Sequence, residues 1–214
     1  MDLDTTIKGF DLNEENLQKI FNGVCAIQVE DDVTFEICNI GEIREGDEYP
    51  GYRVHLKALY PPLSVPLAVD VTTGDKITPR EISYTFKLLF DDRNISILAY
   101  NLETVIAEKL ETVISRGIAN TRPRDFYDIH ILYTLRGSEC NMEILSQALR
   151  QTASKRGSFD VMKNYEKVIA NVLISEQMQG FWTKYRKDFE YASEITFEDV
   201  CNTVITLFKQ LTLV

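Results

Sequence analysis

Two aspartates stand two residues apart at the start of this 214-residue sequence, Asp2-Leu-Asp4. In an extended strand, residues i and i+2 project from one face, so the two carboxylates would lie side by side. Like charges that close repel unless a divalent cation lies between them. A solvated acidic terminus would carry the same residues. A third carboxylate, Asp70, ends the apolar run Pro66-Leu-Ala-Val. A carboxylate inside an apolar strand is costly unless it is paired or metal-bound. If Val69 and Val71 face a core, Asp70 faces the other side, where it could join Asp2 and Asp4; a solvent-facing strand residue is the plainer account. Asp75, beside Gly74, reads as loop chemistry.

Farther along, Lys109 falls inside the helical arc of Leu102, Val105, Ile106 and Val113. Lysine is almost never fully buried without a partner. It either snorkels to the edge of the core or reaches a carboxylate or phosphate. Asp125 and Asp128, three residues apart, share a helix face with Ile129 and Leu132, so both point toward the packed side. Asp125 follows Pro123 in a first helical turn, where the helix dipole favours an anion. Asp128 lies deeper and is harder to explain that way. Arg122 and Arg124 are candidate partners for these carboxylates or for a phosphate.

The elements that must position these groups change character along the chain. Leu12 to Ile27 has helical spacing, with Asn13 or Asp11 able to cap its start. Residues 33–40 and 52–59 alternate apolar and polar side chains and form an expected hairpin, with turn material over Glu45 to Gly51. Val65 to Thr72 reads as a mostly apolar, buried strand, and Ile82 to Phe90 and Ile95 to Leu98 as further strands. From Leu102 the period becomes 3.6. Helices are expected over 102–116, 123–135, 141–155, 159–174, 177–188 and 197–211, the last opening near a capping box at Thr196 to Asp199. The fold class is thus α+β: a sheet domain over residues 1–100 and a helical domain over 101–214.

Composition sets limits. No apolar run approaches the roughly 18 residues of a membrane span, and the acidic Met1-Asp2-Leu3-Asp4 is unlike the basic start of a signal peptide. A cytoplasmic protein is expected. Four scattered cysteines without a CxxC spacing, and only two histidines, argue against structural zinc. The net charge of −10 means that nucleic acid could bind only at a local basic patch. One candidate is Lys184, Arg186 and Lys187 with Trp182 and Tyr185 interleaved; a bundle helix with a solvated charged face accounts for the same residues.

The order of these features resembles the AbiEii/AbiGii toxin family. Its pattern AEKL … R … R-x-(K/R)-D-x-x-D-(L/I) stands here as Ala107-Glu-Lys-Leu110, Arg116 and Arg122-Pro-Arg-Asp-Phe-Tyr-Asp128-Ile129. Asp2-Leu-Asp4-Thr-Thr resembles the family's D-x-D metal motif, and Leu67-Ala-Val-Asp70 with Gly74-Asp75 the later strand bearing the third carboxylate. The resemblance is most specific over residues 100–130 and loose after about 140.

It implies a nucleotidyltransferase fold of the DNA-polymerase-β type, with a mixed sheet followed by a helical bundle. It also implies transfer of a nucleoside monophosphate from an NTP to an acceptor, thought to be RNA, often a tRNA end. Asp2, Asp4 and Asp70 would hold Mg²⁺, with Asp70 assisting deprotonation of the acceptor. Lys109 would contact the triphosphate, helped by Arg122 and Arg124. Asp125, with Asp128 as companion, would position Lys109 or the nucleotide. A cognate antitoxin is the implied protein partner. The family also carries a Gly-Gly-Ser/Thr loop upstream of D-x-D that cradles the triphosphate. Here Met1 immediately precedes Asp2, so a chain truncated at the motif, binding NTP poorly, is the expectation. Two readings stay open: a toxin enzyme, or a non-catalytic member that binds an antitoxin or RNA.

Overall fold

The computed structural model describes residues 2–29, 31–43, 51–74, 76–88 and 92–213. They form two compact units, Met1–Asp75 and Lys76–Val214. The division precedes the change of texture near Tyr100, because the segment after Asp75 is tied to the first helix of the second unit. Asn101 donates from Nδ2 to the Thr78 carbonyl at 2.7 Å, and the Thr78 N–H donates to Thr104 Oγ1 at 3.1 Å, all three residues being buried.

The first unit runs β1 (Asp2–Ile7), α1 (Glu14–Cys25), β2 (Thr34–Glu42), β3 (Tyr52–Tyr60) and β4 (Leu63–Thr73). The sheet order is β1-β4-β3-β2. β1 pairs parallel with β4, and the other neighbours are antiparallel. Asn13, rather than Asp11, caps α1, its side chain accepting the Asn16 N–H at 2.8 Å. One sheet face buries Ile40, Val54, Leu56, Val69 and Val71 together with Leu17 of α1. Each such aliphatic side chain contributes about 1.5–3 kcal/mol of burial. The expected hairpin of residues 33–40 and 52–59 is the β2–β3 pair, and most of its turn lies outside the described residues. β4 departs from expectation: its first four residues are exposed, and only Val69 and Val71 are buried. The pairing of β1 begins at Ala68, so the leading half of β4 has one hydrogen-bonded neighbour instead of two.

The second unit opens with the antiparallel pair β5 (Ile82–Lys87) and β6 (Asn94–Ala99). The end of the strand expected at Phe90 lies outside the described residues. Seven helices follow: α2 (Leu102–Arg116), α3 (Pro123–Arg136), α4 (Met142–Lys155), α5 (Phe159–Met162), α6 (Tyr165–Ile174), α7 (Glu176–Asp188) and α8 (Phe197–Gln210). The single helix expected over 159–174 is two. Asn164 Nδ2 donates to the Asp160 carbonyl at 2.9 Å, while the Asn164 N–H turns back to Val161, which closes α5 before α6 begins. The capping box of Thr196 and Asp199 is present. Ile106, Leu110, Phe126, Ile129, Leu149, Trp182 and Val204 lie in one core. Buried Glu111 is satisfied within it, accepting from Arg156 at 2.5 Å and Ser158 at 2.7 Å. A mixed sheet followed by helices is the expected α+β architecture. No helix among the described residues is long and apolar enough to cross a membrane.

Candidate functional site

In the first unit, strand register does the positioning. Asp4 and Asp70 are direct partners across β1 and β4, as are Asp2 and Ala68. Paired residues of a parallel ladder share a face, and neighbouring strands lie about 4.8 Å apart. With Val69 and Val71 in the core, Asp4 and Asp70 lie together on the opposite face. The side chain of Asp2 is outside the described residues. The threonines after Asp4 lock this register: Thr5 Oγ1 donates to the Asp70 carbonyl at 3.1 Å, and the Thr6 and Thr72 hydroxyls meet at 3.0 Å.

Sequence reasoning missed Arg53. It is the β3 partner of Asp70, and its guanidinium grips both carboxylate oxygens, Nε to Oδ1 and Nη2 to Oδ2, each at 2.6 Å. This fork is the strongest common geometry for a guanidinium and a carboxylate. The hydrogen bonds from Arg53 hold the Asp70 carboxyl below its usual range; burial opposes them, and the charges of Arg53 and His55 add to them. A signal was available in the sequence. The two-residue turn Pro61-Pro62 pairs Tyr60 with Leu63, and counting outward from it brings Arg53 opposite Asp70.

A hard divalent cation such as Mg²⁺ takes oxygen donors. Asp4 and Asp70 offer them on one face, and carboxylate oxygens bonded to Arg53 keep spare lone pairs. The donor set therefore fits such an ion in kind. Among the described residues, no three His, Cys, Asp or Glu side chains gather into a ready-made cage.

In the second unit, α2 and α3 bring a cation between two carboxylates. Lys109 Nζ is 2.7 Å from Asp128 Oδ2 and 3.5 Å from Asp125 Oδ1. Of the alternatives for Lys109, the carboxylate partner is the one found. Asp125 is 4% exposed, and Asp128 is partly buried, as their shared face with Ile129 required. Arg122 Nε lies 3.6 Å from Asp125 Oδ2, and Arg124 Nε lies 3.7 Å from Asp128 Oδ2. Asp125 Oδ2 makes no hydrogen bond. The five groups carry three positive and two negative charges at the start of α3, where the helix dipole adds further positive potential. Such a cluster can receive an anion.

The basic–aromatic patch on α7 does not form a stacking surface. Trp182 and Tyr185 are 2% and 6% exposed, and Trp182 Nε1 donates to the Ile195 carbonyl at 3.1 Å. Arg186 bonds the Ser193 carbonyl. The helical period of α7 turns its aromatic residues inward and leaves Lys184 and Lys187 on the exposed face.

The sequence profile described as nucleotidyl transferase AbiEii toxin, type IV toxin–antitoxin system, matches residues 1–203. The chain belongs to the AbiEii nucleotidyltransferase toxin family. Curated proteins supply no match to this AbiEii-family chain. Two solved structures from Helicobacter pylori are similar to it. One, provisionally described as a nucleotidyltransferase, is 14% identical, with 97% of this chain and 76% of that one covered and a TM-score of 0.45. The other, JHP933, is 16% identical, with 98% and 72% covered and a TM-score of 0.45. Overlaps this loose leave membership of the AbiEii family resting on the sequence match.

Proposed function

We propose that this AbiEii-family chain transfers a nucleoside monophosphate from an NTP to RNA, a tRNA end in particular, in a Mg²⁺-dependent reaction held in check by a cognate antitoxin. The observation that supports this most is the register that faces Asp4 with Asp70 on the open side of the sheet. The acceptor oxygen bonds to the α-phosphorus, the bond from that phosphorus to the bridging oxygen breaks, and pyrophosphate leaves. Asp4 and Asp70, with Asp2 beside them in sequence, would hold the divalent ion, which would supply charge neutralisation for the phosphoryl transfer. Asp70 assists removal of the acceptor proton, and Arg53 keeps Asp70 ionised until it does. Lys109, Arg122 and Arg124 bind triphosphate oxygens as fixed positive charges. Asp125 and Asp128 position Lys109.

One observation favours a non-catalytic reading, in which the chain binds an antitoxin or RNA: Arg53 bonds both Asp70 oxygens and so competes for them. Mg²⁺-dependent transfer of labelled NTP to total tRNA separates the two. Labelling by the wild-type chain and none by Asp70→Ala supports the enzyme. No labelling by either, with retained binding of tRNA, supports the binding protein and removes the catalytic claim.

A further inference from the structure

An aromatic nest runs from the core of the second unit to its surface and takes in Tyr127 of α3. Trp182 and Tyr185 are its buried end, with ring centroids 5.6 Å apart. Tyr185 meets Phe189 at 4.8 Å, and Tyr127 meets Tyr191 at 4.9 Å. Phe189 and Tyr191 close the outer end, 5.4 Å apart and tilted by 30°. These last two are 42% and 56% exposed. Their position is fixed from below, because the Tyr191 hydroxyl meets the buried Tyr185 hydroxyl at 3.0 Å.

The nest shares α3 with the charged cluster. Tyr127 directly precedes Asp128, the residue that grips Lys109. Burial, with lesser contributions that include the Asp128 charge, pushes the Tyr127 and Tyr185 hydroxyls upward, and Arg124 pulls against the rise at Tyr185. Fixed aromatic faces beside guanidinium and ammonium groups are the arrangement by which proteins hold an unpaired base next to its phosphates. Within that cluster Asp125 Oδ2 is buried and makes no hydrogen bond, with Arg122 Nε 3.6 Å away.

We propose that Phe189 and Tyr191 form a stacking ledge for an unpaired nucleobase whose phosphates lie on Lys109, Arg122 and Arg124. The inference rests on the reading of that cluster as a phosphate site. It assigns the base to residues that the family pattern does not include. The base belongs either to the incoming NTP or to the acceptor end of RNA, and stacking is tolerant of which base it is.

The test uses the full chain and three probes: 2-aminopurine riboside triphosphate, a short RNA ending in 2-aminopurine, and inorganic triphosphate, which has no base. Stacking quenches 2-aminopurine fluorescence. In Phe189→Ala/Tyr191→Ala, affinity for a 2-aminopurine probe falls about tenfold, while inorganic triphosphate competes as it does with wild type. Phe189→Tyr keeps the ring, leaves the Tyr191–Tyr185 hydroxyl contact in place and keeps the affinity, which separates stacking from a folding defect. Loss confined to the triphosphate probe assigns the ledge to the NTP; loss confined to the RNA assigns it to the acceptor. Unchanged affinity for both fluorescent probes overturns the ledge and leaves the phosphate site standing. Equal binding of inorganic triphosphate by wild type and Lys109→Ala removes the phosphate site itself, and with it the paired placement of base and phosphates.

Discussion

The two charged clusters are built in opposite senses. On the sheet, a cation grips one carboxylate at both oxygens: Arg53 on Asp70. Between α2 and α3, two carboxylates share one cation: Asp125 and Asp128 on Lys109. The first arrangement fixes a charge state, since Asp70 stays ionised under the hold of Arg53. The second fixes a place, since an ammonium between two anchored carboxylates has little freedom to swing. Burial differs accordingly. The Arg53 side chain is 42% exposed and can leave, whereas the Asp125 side chain is 6% exposed and cannot.

The sharpest test of the sheet cluster is Asp70→Asn. Transfer activity is expected to fall by about a hundredfold to a thousandfold, the scale for losing a charge-stabilising group at a reacting centre. Stability should change by less than about 1 kcal/mol, because a half-exposed ion pair is worth little. A loss of stability as large as that of a core substitution would make Asp70 a structural residue and erase its contrast with Asp125.

The helix cluster should respond the other way. Lys109→Ala leaves the two carboxylates only their longer contacts to Arg122 and Arg124 and is expected to cost about 3 kcal/mol of unfolding free energy by urea denaturation. Asp125→Asn in the same chain should restore part of that loss. If Lys109→Ala denatures at the wild-type midpoint, the lysine holds nothing in place and the comparison collapses.

Arg53→Gln sharpens the first half of the contrast. It removes a competitor for Asp70, so Mn²⁺ binding, followed by electron paramagnetic resonance, should tighten about fivefold to tenfold. Stability should fall by about 1 kcal/mol or less. Mn²⁺ affinity equal to that of wild type would restrict Arg53 to a structural tie.

The smallest effect is in pH. The folded Asp70 pKa is depressed, so its contribution to stability is fully present above the unfolded value of about 3.9 and is lost as pH falls through the lower folded value. The melting temperatures of wild type and Arg53→Gln should therefore differ near neutral pH and converge as acidification passes through the depressed Asp70 value. A constant difference down to strong acid would show that Arg53 acts through packing, not through the Asp70 charge.

Much of this was legible in the sequence. Alternation around Val69 and Val71 turned Asp70 outward, and the helical arc of α2 turned Lys109 inward. The spacing of Asp125 and Asp128 put both on one face. What escaped was whatever depends on which strands pair. Nothing local to Arg53 marks it, since its partner is 17 residues away across a turn. The aromatic residues of α7 admitted two accounts for a related reason. Basic neighbours allowed Trp182 and Tyr185 to be a surface patch or the inner face of a bundle helix, and the packing of α7 decides for the inner face. The break between α5 and α6 was hidden because Asn164 acts there through a side-chain bond that periodicity does not register.

The parallel pairing of β1 with β4 also has a kinetic consequence. Thr6 and Thr72 are 66 residues apart, so their contact closes a long loop, and that entropy is lost before any bond repays it. The β3–β4 ribbon, closed by two prolines, can form early, and β1 joins it late. Strengthening the β1–β4 seam would then slow unfolding and leave the folding rate nearly unchanged. Nascent chains that have finished most of the sheet would still lack the facing carboxylates, which come together only as the last strand docks.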